Sequence, residues 1–563
     1  MTQTVSQPLH HHRRRPSRLR ALLIVLATFA LLAPTLPWPQ FSGDSEDLVV
    51  QAVLQIRNGG PRWIPMLGDQ PRFRKPPLPT WIAAAAVTPG VMRDLPSTDP
   101  STREAAYRWL AWEVRWPSLA AGCAMMLAVA ALAEMTAGPA HVVPSMLIFA
   151  SSLMFLRFIR SATTDVYLTL FVLIANALIA TALLRGKRWI GLVGAGTAIG
   201  LAFMCKGPVC LVQTIVPAFI FVMLNRQARR QVRTLLAPAL AGLVMALAVG
   251  LPWYISVYHR YPTIAGIWVK EVDRQAGLQN YAPWYYYLIL LPNFLPWLPV
   301  LLAGIWIAGS AQIQKRRLAL PLLLLLVPIV IMSFFPDRRD RYLFPMTAPA
   351  AILAAHAVVR IARLGSITSA GARLVWFASW GMLILLAVGL PATCLLVLRG
   401  PHHEAVVSVQ LAIITALVGS AVAGVAGRLQ RYWRDSHTAG GALLMLLLNG
   451  FFLWTWSQST LGLSEMKPVA DRLHAAFPGG RVVYYDPPPD GKPVTLDLDI
   501  YLDRPVPVLA EFPPADGQTA AVCMLVKDGD PLPAFPGWRI FDDLRSRKHH
   551  WYLLTPAKKL STN

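Results

Sequence analysis

Charge is scarce in this sequence. Asp, Glu, Lys and Arg make up 14% of its 563 residues, against 55% hydrophobic ones. A soluble domain carries roughly a quarter charged residues. The deficit excludes an ordinary water-soluble globule and points to helices that face lipid or one another. Acid is scarcer still, with 29 Asp and Glu against 52 Lys and Arg and a formal net charge of +23. Such a balance can mark a nucleic-acid binder. Here, however, the basic residues fall in short clusters between apolar runs, the pattern of cytoplasmic loops, and nucleic acid is set aside as a partner. Cysteine is rare: Cys123, Cys205, Cys210 and Cys394 lie in apolar stretches and Cys523 is alone in a polar tail. That spacing excludes a disulfide framework or a zinc cluster, and Cys205 and Cys210 read as packing residues. No small-residue cleavage site follows the apolar run Ala21 to Leu36, so the run reads as an uncleaved first span. The His10–His12 tract before it is assigned no metal. The inverted repeat that many transporters show is also missing.

What the sequence has in quantity is apolar runs and 19 Trp, which suit interfacial belts. A span needs about 20 apolar residues. Candidate spans are 20–38, 116–136, 141–157, 162–184, 189–206, 208–224, 234–256, 285–308, 318–335, 342–359, 374–398, 405–427 and 438–460. With residues 1–19 as a cytoplasmic tail, alternation places the clusters Arg185–Arg188, Arg226–Arg233, Lys315–Arg317, Arg360–Arg373 and Arg428–Arg434 inside, as the positive-inside rule requires. One basic cluster, Asp337 to Arg341, lands outside against the rule. Outer loops then cover 39–115 and 257–284. The first holds Leu78 to Met92, too short to span and read as an interfacial or re-entrant helix. From Ser464 onward Pro, Asp and short β-like runs (Arg481–Tyr485, Thr519–Val526, His550–Leu554) predict a small α/β domain over 464–563, outside the membrane. The predicted fold class is an all-α polytopic membrane protein of about thirteen transmembrane helices (20–463) with that α/β domain appended.

Candidate chemistry gathers at the outer face. Asp44, Glu46 and Asp47 follow the first span. A carboxylate there can act as a general base with a raised pKa, while Asp44 can equally cap a helix from Glu46 to Asn58. Arg72, Arg74 and Lys75 suit a phosphate at headgroup depth or simple anchoring to anionic lipid. Asp165 stands at the edge of a span, where an acid is costly unless paired or hydrated. Lys206 sits between two apolar runs, as a functional cation or a snorkelling Lys. Arg338, Arg339 and Arg341 beside Tyr342 can fork onto phosphate, or the intervening Asp residues can neutralise them. Lys270 to Arg274, followed by Trp284–Tyr287, reads as an amphipathic segment. A transporter would place its ionisable groups near the bilayer midplane instead.

Several ordered motifs carry a resemblance: Asp44-Ser45-Glu46, Lys75-Pro76-Pro77-Leu78 with Trp81, Thr164-Asp165, Gly200 to Pro208, Leu251-Pro252-Trp253-Tyr254 and Arg341-Tyr342-Leu343-Phe344-Pro345. Over about residues 20–360 the chain resembles GT-C glycosyltransferases, the aminoarabinose (lipid A) transferase and protein O-mannosyltransferase group. The resemblance implies transfer of a sugar from a polyprenyl-phosphate carrier to a cell-envelope lipid, glycan or protein on the periplasmic side of a bacterial inner membrane. Asp44 would then be the base and Asp165 a second acid that orients acceptor or sugar. Lys75, Tyr342 and, more loosely, Arg274 would hold the carrier phosphate, with Arg74, Arg341 and Lys206 beside them. It implies no required cofactor. The two positions associated with a metal in the aminoarabinose transferase are not kept, because Arg74 replaces a Glu and no His lies in 270–274. Membrane lipids are the remaining expected partners. The alternative function is a transporter or flippase of a lipid-linked substrate, and a noncatalytic scaffold is the third.

Overall fold

The computed structural model describes residues 18–41, 44–67, 70–73, 75–266, 269, 283–295, 297–310, 317–335, 338–363, 374 and 378, and in the tail 464, 466–485, 496–504, 506–509, 511–515, 519–526, 535–545 and 550–557. Predicted spans 405–427 and 438–460, nearly all of 374–398, Arg74, Arg274 and the side chain of Asp44 lie outside the described residues.

The helices are α1 (Arg18–Leu32), α2 (Asp44–Arg57), α3 (Leu78–Ala86), α4 (Pro89–Asp94), α5 (Pro100–Thr136), α6 (Val142–Ala150), α7 (Leu153–Phe158), α8 (Thr164–Arg185) and α9 (Arg188–Lys206). They continue with α10 (Val209–Leu224), α11 (Arg226–Arg230), α12 (Val232–Gly250), α13 (Pro252–Arg260), α14 (Leu298–Ser310), α15 (Ala319–Ser333) and α16 (Thr347–Arg363). Helices α17 (Met466–Ala476) and α18 (Leu496–Tyr501) belong to the tail. Among the described residues, five helical stretches are long and apolar enough to cross a membrane, and five shorter apolar ones match other predicted spans.

Several boundaries differ from the sequence reading. Residues 100–115, expected in a loop, are the outer part of α5. Its 37 residues reach about 55 Å at 1.5 Å per residue, well beyond the ~30 Å hydrocarbon layer. Asp99 starts this helix, its carboxylate accepting from the Thr102 amide at 2.9 Å with Pro100 as first helical residue, a strong N-terminal signal. Span 141–157 is broken at Ser151-Ser152 into α6 and α7. Both hydroxyls bond back to carbonyls of the preceding turn, which competes with helix continuation. Span 234–256 ends at Gly250, before Pro252 opens α13. The Leu78–Met92 stretch is two short helices, α3 and α4. Glu113 of α5 joins them by accepting from the Thr88 amide and hydroxyl, each at 2.8 Å.

Helices α5, α8, α9 and α12 pack in series. In lipid the close approach of backbones replaces the hydrophobic drive between helices. A Cβ on Gly196 would lie 1.9 Å from the Gly242 carbonyl oxygen, and one on Gly242 would lie 2.4 Å from that of Leu192. Only glycine fits this α9–α12 crossing.

The tail carries a sheet in the order β4-β3-β5-β7-β6, built from β3 (Val482–Tyr485), β4 (Val508–Leu509), β5 (Ala521–Val526), β6 (Trp538–Arg545) and β7 (His550–Pro556). A two-stranded ribbon, β1 (Met66–Leu67) with β2 (Gln70–Pro71), lies before α3. Strand β3 runs parallel to β4 and β5, and β7 runs antiparallel to β5 and β6. The sheet, α17 and α18 share one apolar core with α2, α3 and the outer half of α5. Tyr501 pins the seam: its hydroxyl accepts from the Phe41 amide at 2.7 Å, and its carbonyl accepts from the Tyr107 hydroxyl at 2.6 Å.

Candidate active site

Asp165 is the second residue of α8, set in its first turn where the helix dipole favours a negative charge. It is 1% exposed. Lys206, the last residue of α9, forms an ion pair with Asp165 Oδ1. The chain must turn sharply here, and Gly207 adopts φ 77°, a left-handed value that suits glycine. A cation at a helix C-terminus meets an anion at a helix N-terminus, so both dipoles support the pair.

Arg341 enters from the 3-10 turn Asp340–Met346. Its Nε stands 3.8 Å from Asp165 Oδ2, and its Nη1 donates to the Ser45 hydroxyl at the start of α2. Tyr342 follows, with its ring centroid 4.2 Å beneath the Lys206 ammonium. Asp340 does not neutralise Arg341 by side-chain pairing. Its Oδ2 pairs with Arg157 at 2.7 Å and its Oδ1 accepts the Arg341 amide at 2.8 Å. Lys75, outside the spans, lies within electrostatic reach of Asp165, Lys206 and Arg341. Burial first, then Lys206, pulls its ammonium down to about 7. Three cations thus surround one carboxylate, an excess that invites an anion.

Other predicted residues have different neighbours. Glu46 is clamped by Arg115, Nε to Oε1 and Nη2 to Oε2, both at 2.8 Å, and its Oε1 also accepts the Ala162 amide at 2.8 Å. A bidentate, buried pair of this kind fixes geometry, so Glu46 ties α2 to α5 and to the turn before Asp165 and does not face the cationic pocket with a free oxygen. Arg72 is buried and donates to the Leu48 carbonyl at 2.9 Å; burial lowers its guanidinium to about 10. Arg338 donates to the Ser333 carbonyl at 2.5 Å. Asp44 opens α2 directly before Ser45. Of the basic cluster expected on the outer side, the last member, Arg341, stands beside Asp165.

Sequence reasoning missed Arg115, Arg160, Asn176 and Gln213. Arg160 is buried and reaches the Thr35 hydroxyl and carbonyl, both at 2.9 Å; burial, then Arg115, draws it down to about 9. Arg115 could have been found as a charge directly bordering the predicted span 116–136.

The fold is a polytopic helical body, with helix termini and a cationic pocket gathered at one face. The comparisons agree. The family model for dolichyl-phosphate-mannose-protein mannosyltransferase matches residues 109–255. An undecaprenyl phosphate-alpha-4-amino-4-deoxy-L-arabinose arabinosyl transferase from Serratia proteamaculans (strain 568) is 30% identical over 182 residues, 31% of this chain and 32% of that protein. The one from Yersinia pestis (strain Pestoides F) is 26% identical over 284 residues, 48% of this chain and 50% of that protein. The matched stretches thus span about a third to a half of these relatives' length. The crystal structure of ArnT from Cupriavidus metallidurans bound to undecaprenyl phosphate superposes with TM-score 0.73 at 17% identity, covering 95% of this chain and 98% of that one. Its apo form gives 0.70 at 16% identity. The chain thus shares the fold of these ArnT crystal structures, and in sequence it is similar to the aminoarabinose transferases.

Proposed function

We propose that this protein is a multi-pass inner-membrane glycosyltransferase that moves a pentosyl or hexosyl unit from a polyprenyl-phosphate carrier to a cell-envelope lipid, glycan or protein, on the periplasmic side. The observation that carries the reading is the buried Asp165–Lys206 pair flanked by Arg341 with Lys75 close by. The similarity to undecaprenyl-phosphate arabinosyl transferases supports the substrate class.

In this reading the acceptor nucleophile attacks the anomeric carbon. The bond from that carbon to the phosphate oxygen breaks, and its electron pair leaves with polyprenyl phosphate. Asp44 takes the acceptor's proton. Lys75, Lys206, Arg341 and Tyr342 hold the phosphate, and fixed cations oppose the charge that grows on it. Asp165 keeps Lys206 and Arg341 in place and orients the acceptor or sugar. Arg274 and Arg74 complete the phosphate set, and Glu46 fixes the start of α2. The chemistry requires no cofactor.

The test is release of polyprenyl phosphate from a polyprenyl-phosphate sugar by protein reconstituted in lipid, with mass spectrometry of envelope lipids and glycoproteins from a deletion strain to identify the acceptor. Asp44→Asn and Asp165→Asn should abolish turnover at unchanged protein level. Full turnover in both variants would leave the reading without its chemistry.

A further inference from the structure

Two amides lie in the apolar interior beneath the pocket. Asn176 of α8 is 5% exposed and Gln213 of α10 is 2% exposed. Asn176 Nδ2 donates to the Gln213 backbone carbonyl at 3.2 Å, whose helical donor position is taken by Pro217, and Gln213 Nε2 donates to the Tyr342 backbone carbonyl at 3.4 Å. Asn176 Oδ1 and Gln213 Oε1 find no hydrogen-bond partner among the described residues. A buried amide oxygen without a partner opposes stability, more so within a membrane span. Leucine at either position would relieve that oxygen but strip the donor from the backbone carbonyl the amide bonds, so the amides are accounted for by those carbonyls and not by packing alone.

The carbonyl that Gln213 grips is special in its covalent setting. It belongs to the 3-10 turn Asp340–Met346, where the residue three further on is Pro345. A 3-10 turn would satisfy the Tyr342 carbonyl from that N–H, and proline has none. Gln213 supplies a donor from a neighbouring helix. The same residue, Tyr342, carries the ring under Lys206, and its neighbour Arg341 reaches Asp165 and Ser45.

We infer that Gln213, braced by Asn176, is a positioning residue that holds the Arg341–Tyr342 turn in register with Lys206 and so sets the affinity for the carrier phosphate. This rests on the transferase reading of the pocket. A positioning hydrogen bond of ordinary strength corresponds to about 3- to 10-fold in binding.

The experiment measures binding of a short-chain polyprenyl phosphate to the full chain in detergent by calorimetry, together with the thermal midpoint. Gln213→Leu should weaken binding about 3- to 10-fold while the thermal midpoint changes little, because the relieved Oε1 offsets the carbonyl left without its donor, and Asn176→Leu should weaken binding to a smaller extent. Gln213→Met, a straight chain of similar length, serves if the leucine variant fails to fold. Unchanged binding in the variants, or a drop confined to the thermal midpoint, overturns the inference and leaves the transferase reading intact. A wild-type protein that does not bind polyprenyl phosphate overturns that reading and this inference with it.

Discussion

If Lys75 holds the carrier phosphate as proposed, donor binding should depend on pH in a direction that can be worked out beforehand. Burial, Lys206 and Arg341 all disfavour its charged form, and Asp165 only partly opposes them, leaving the ammonium at about 7. A polyprenyl-phosphate sugar is a phosphodiester with one negative charge across the neutral range, so the ligand itself does not titrate. In that reading, binding should need the protonated Lys75 and restore its ordinary pKa, since an anion within a few ångströms favours the charged form. Below pH 7 the lysine is already charged and affinity is flat. Above it, each pH unit costs up to about tenfold, the price of one proton drawn from solvent. Calorimetry with a non-hydrolysable phosphodiester analogue, from pH 5.5 to 9, should show Kd rising with a slope approaching one. The heat should differ between buffers of different ionisation enthalpy by about one proton at pH 8. Lys75→Arg keeps its charge throughout and should flatten the curve. A flat curve in the wild type, with no proton uptake, would refute the assignment of Lys75 to the phosphate.

Three further outcomes test the scaffold around the site. Arg115→Met leaves the Glu46 carboxylate buried without its bidentate partner and should cost about 3–5 kcal/mol, read as a lower thermal midpoint; adding Glu46→Gln should recover most of it. Gly242→Leu forces a side chain into the Leu192 carbonyl, so the α9–α12 crossing should open and the yield of folded protein in detergent should collapse. Tyr501→Phe removes the hydroxyl that accepts from Phe41; it should cost about 1 kcal/mol and speed proteolysis of the tail with the membrane helices intact.

Much of the body was legible because its signals are physical and one-dimensional. Apolar length marks spans, and ten predicted ones have helical counterparts among the described residues. The violation of the positive-inside rule at Asp337–Arg341 pointed to a charge with another task, and Arg341 does lie beside Asp165. Partners were not legible. Arg72 and Lys75 are three residues apart in the same basic run, yet one bonds the Leu48 carbonyl and the other faces the pocket's charges. Glu46 looked like a second catalytic acid because nothing in its own neighbourhood announces Arg115, sixty-nine residues away. Strand β6 was hidden for a different reason: Trp538–Arg545 carries Asp542 and Asp543 and a register shift between Ile540 and Asp542, which spoils the period-two pattern.

The pocket also explains why its residues sit where helices stop. Irregular backbone is tolerated at membrane depth only where protein or water satisfies its polar groups. Helix termini can therefore meet most cheaply at the edge of the bilayer. In this chain α8 begins at Thr164, α9 ends at Lys206, α2 begins at Asp44 and the 3-10 turn begins at Asp340. Each terminus brings unpaired backbone groups and a dipole end, and those of α8, α9 and the 3-10 turn bring Asp165, Lys206 and Arg341 together without threading a charge through the apolar interior. A soluble phosphate donor would need no such depth. A donor whose phosphate rides at the headgroup layer on a lipid tail requires its cations at that level, open sideways to lipid. The long outer half of α5 and the docked tail then serve to hold α2 against that edge, through Arg115 on one side and Tyr501 on the other. If α2 is positioned this way, shortening α5 above Arg115 should impair turnover as strongly as removing Lys75, although no residue above Arg115 is placed in the phosphate pocket.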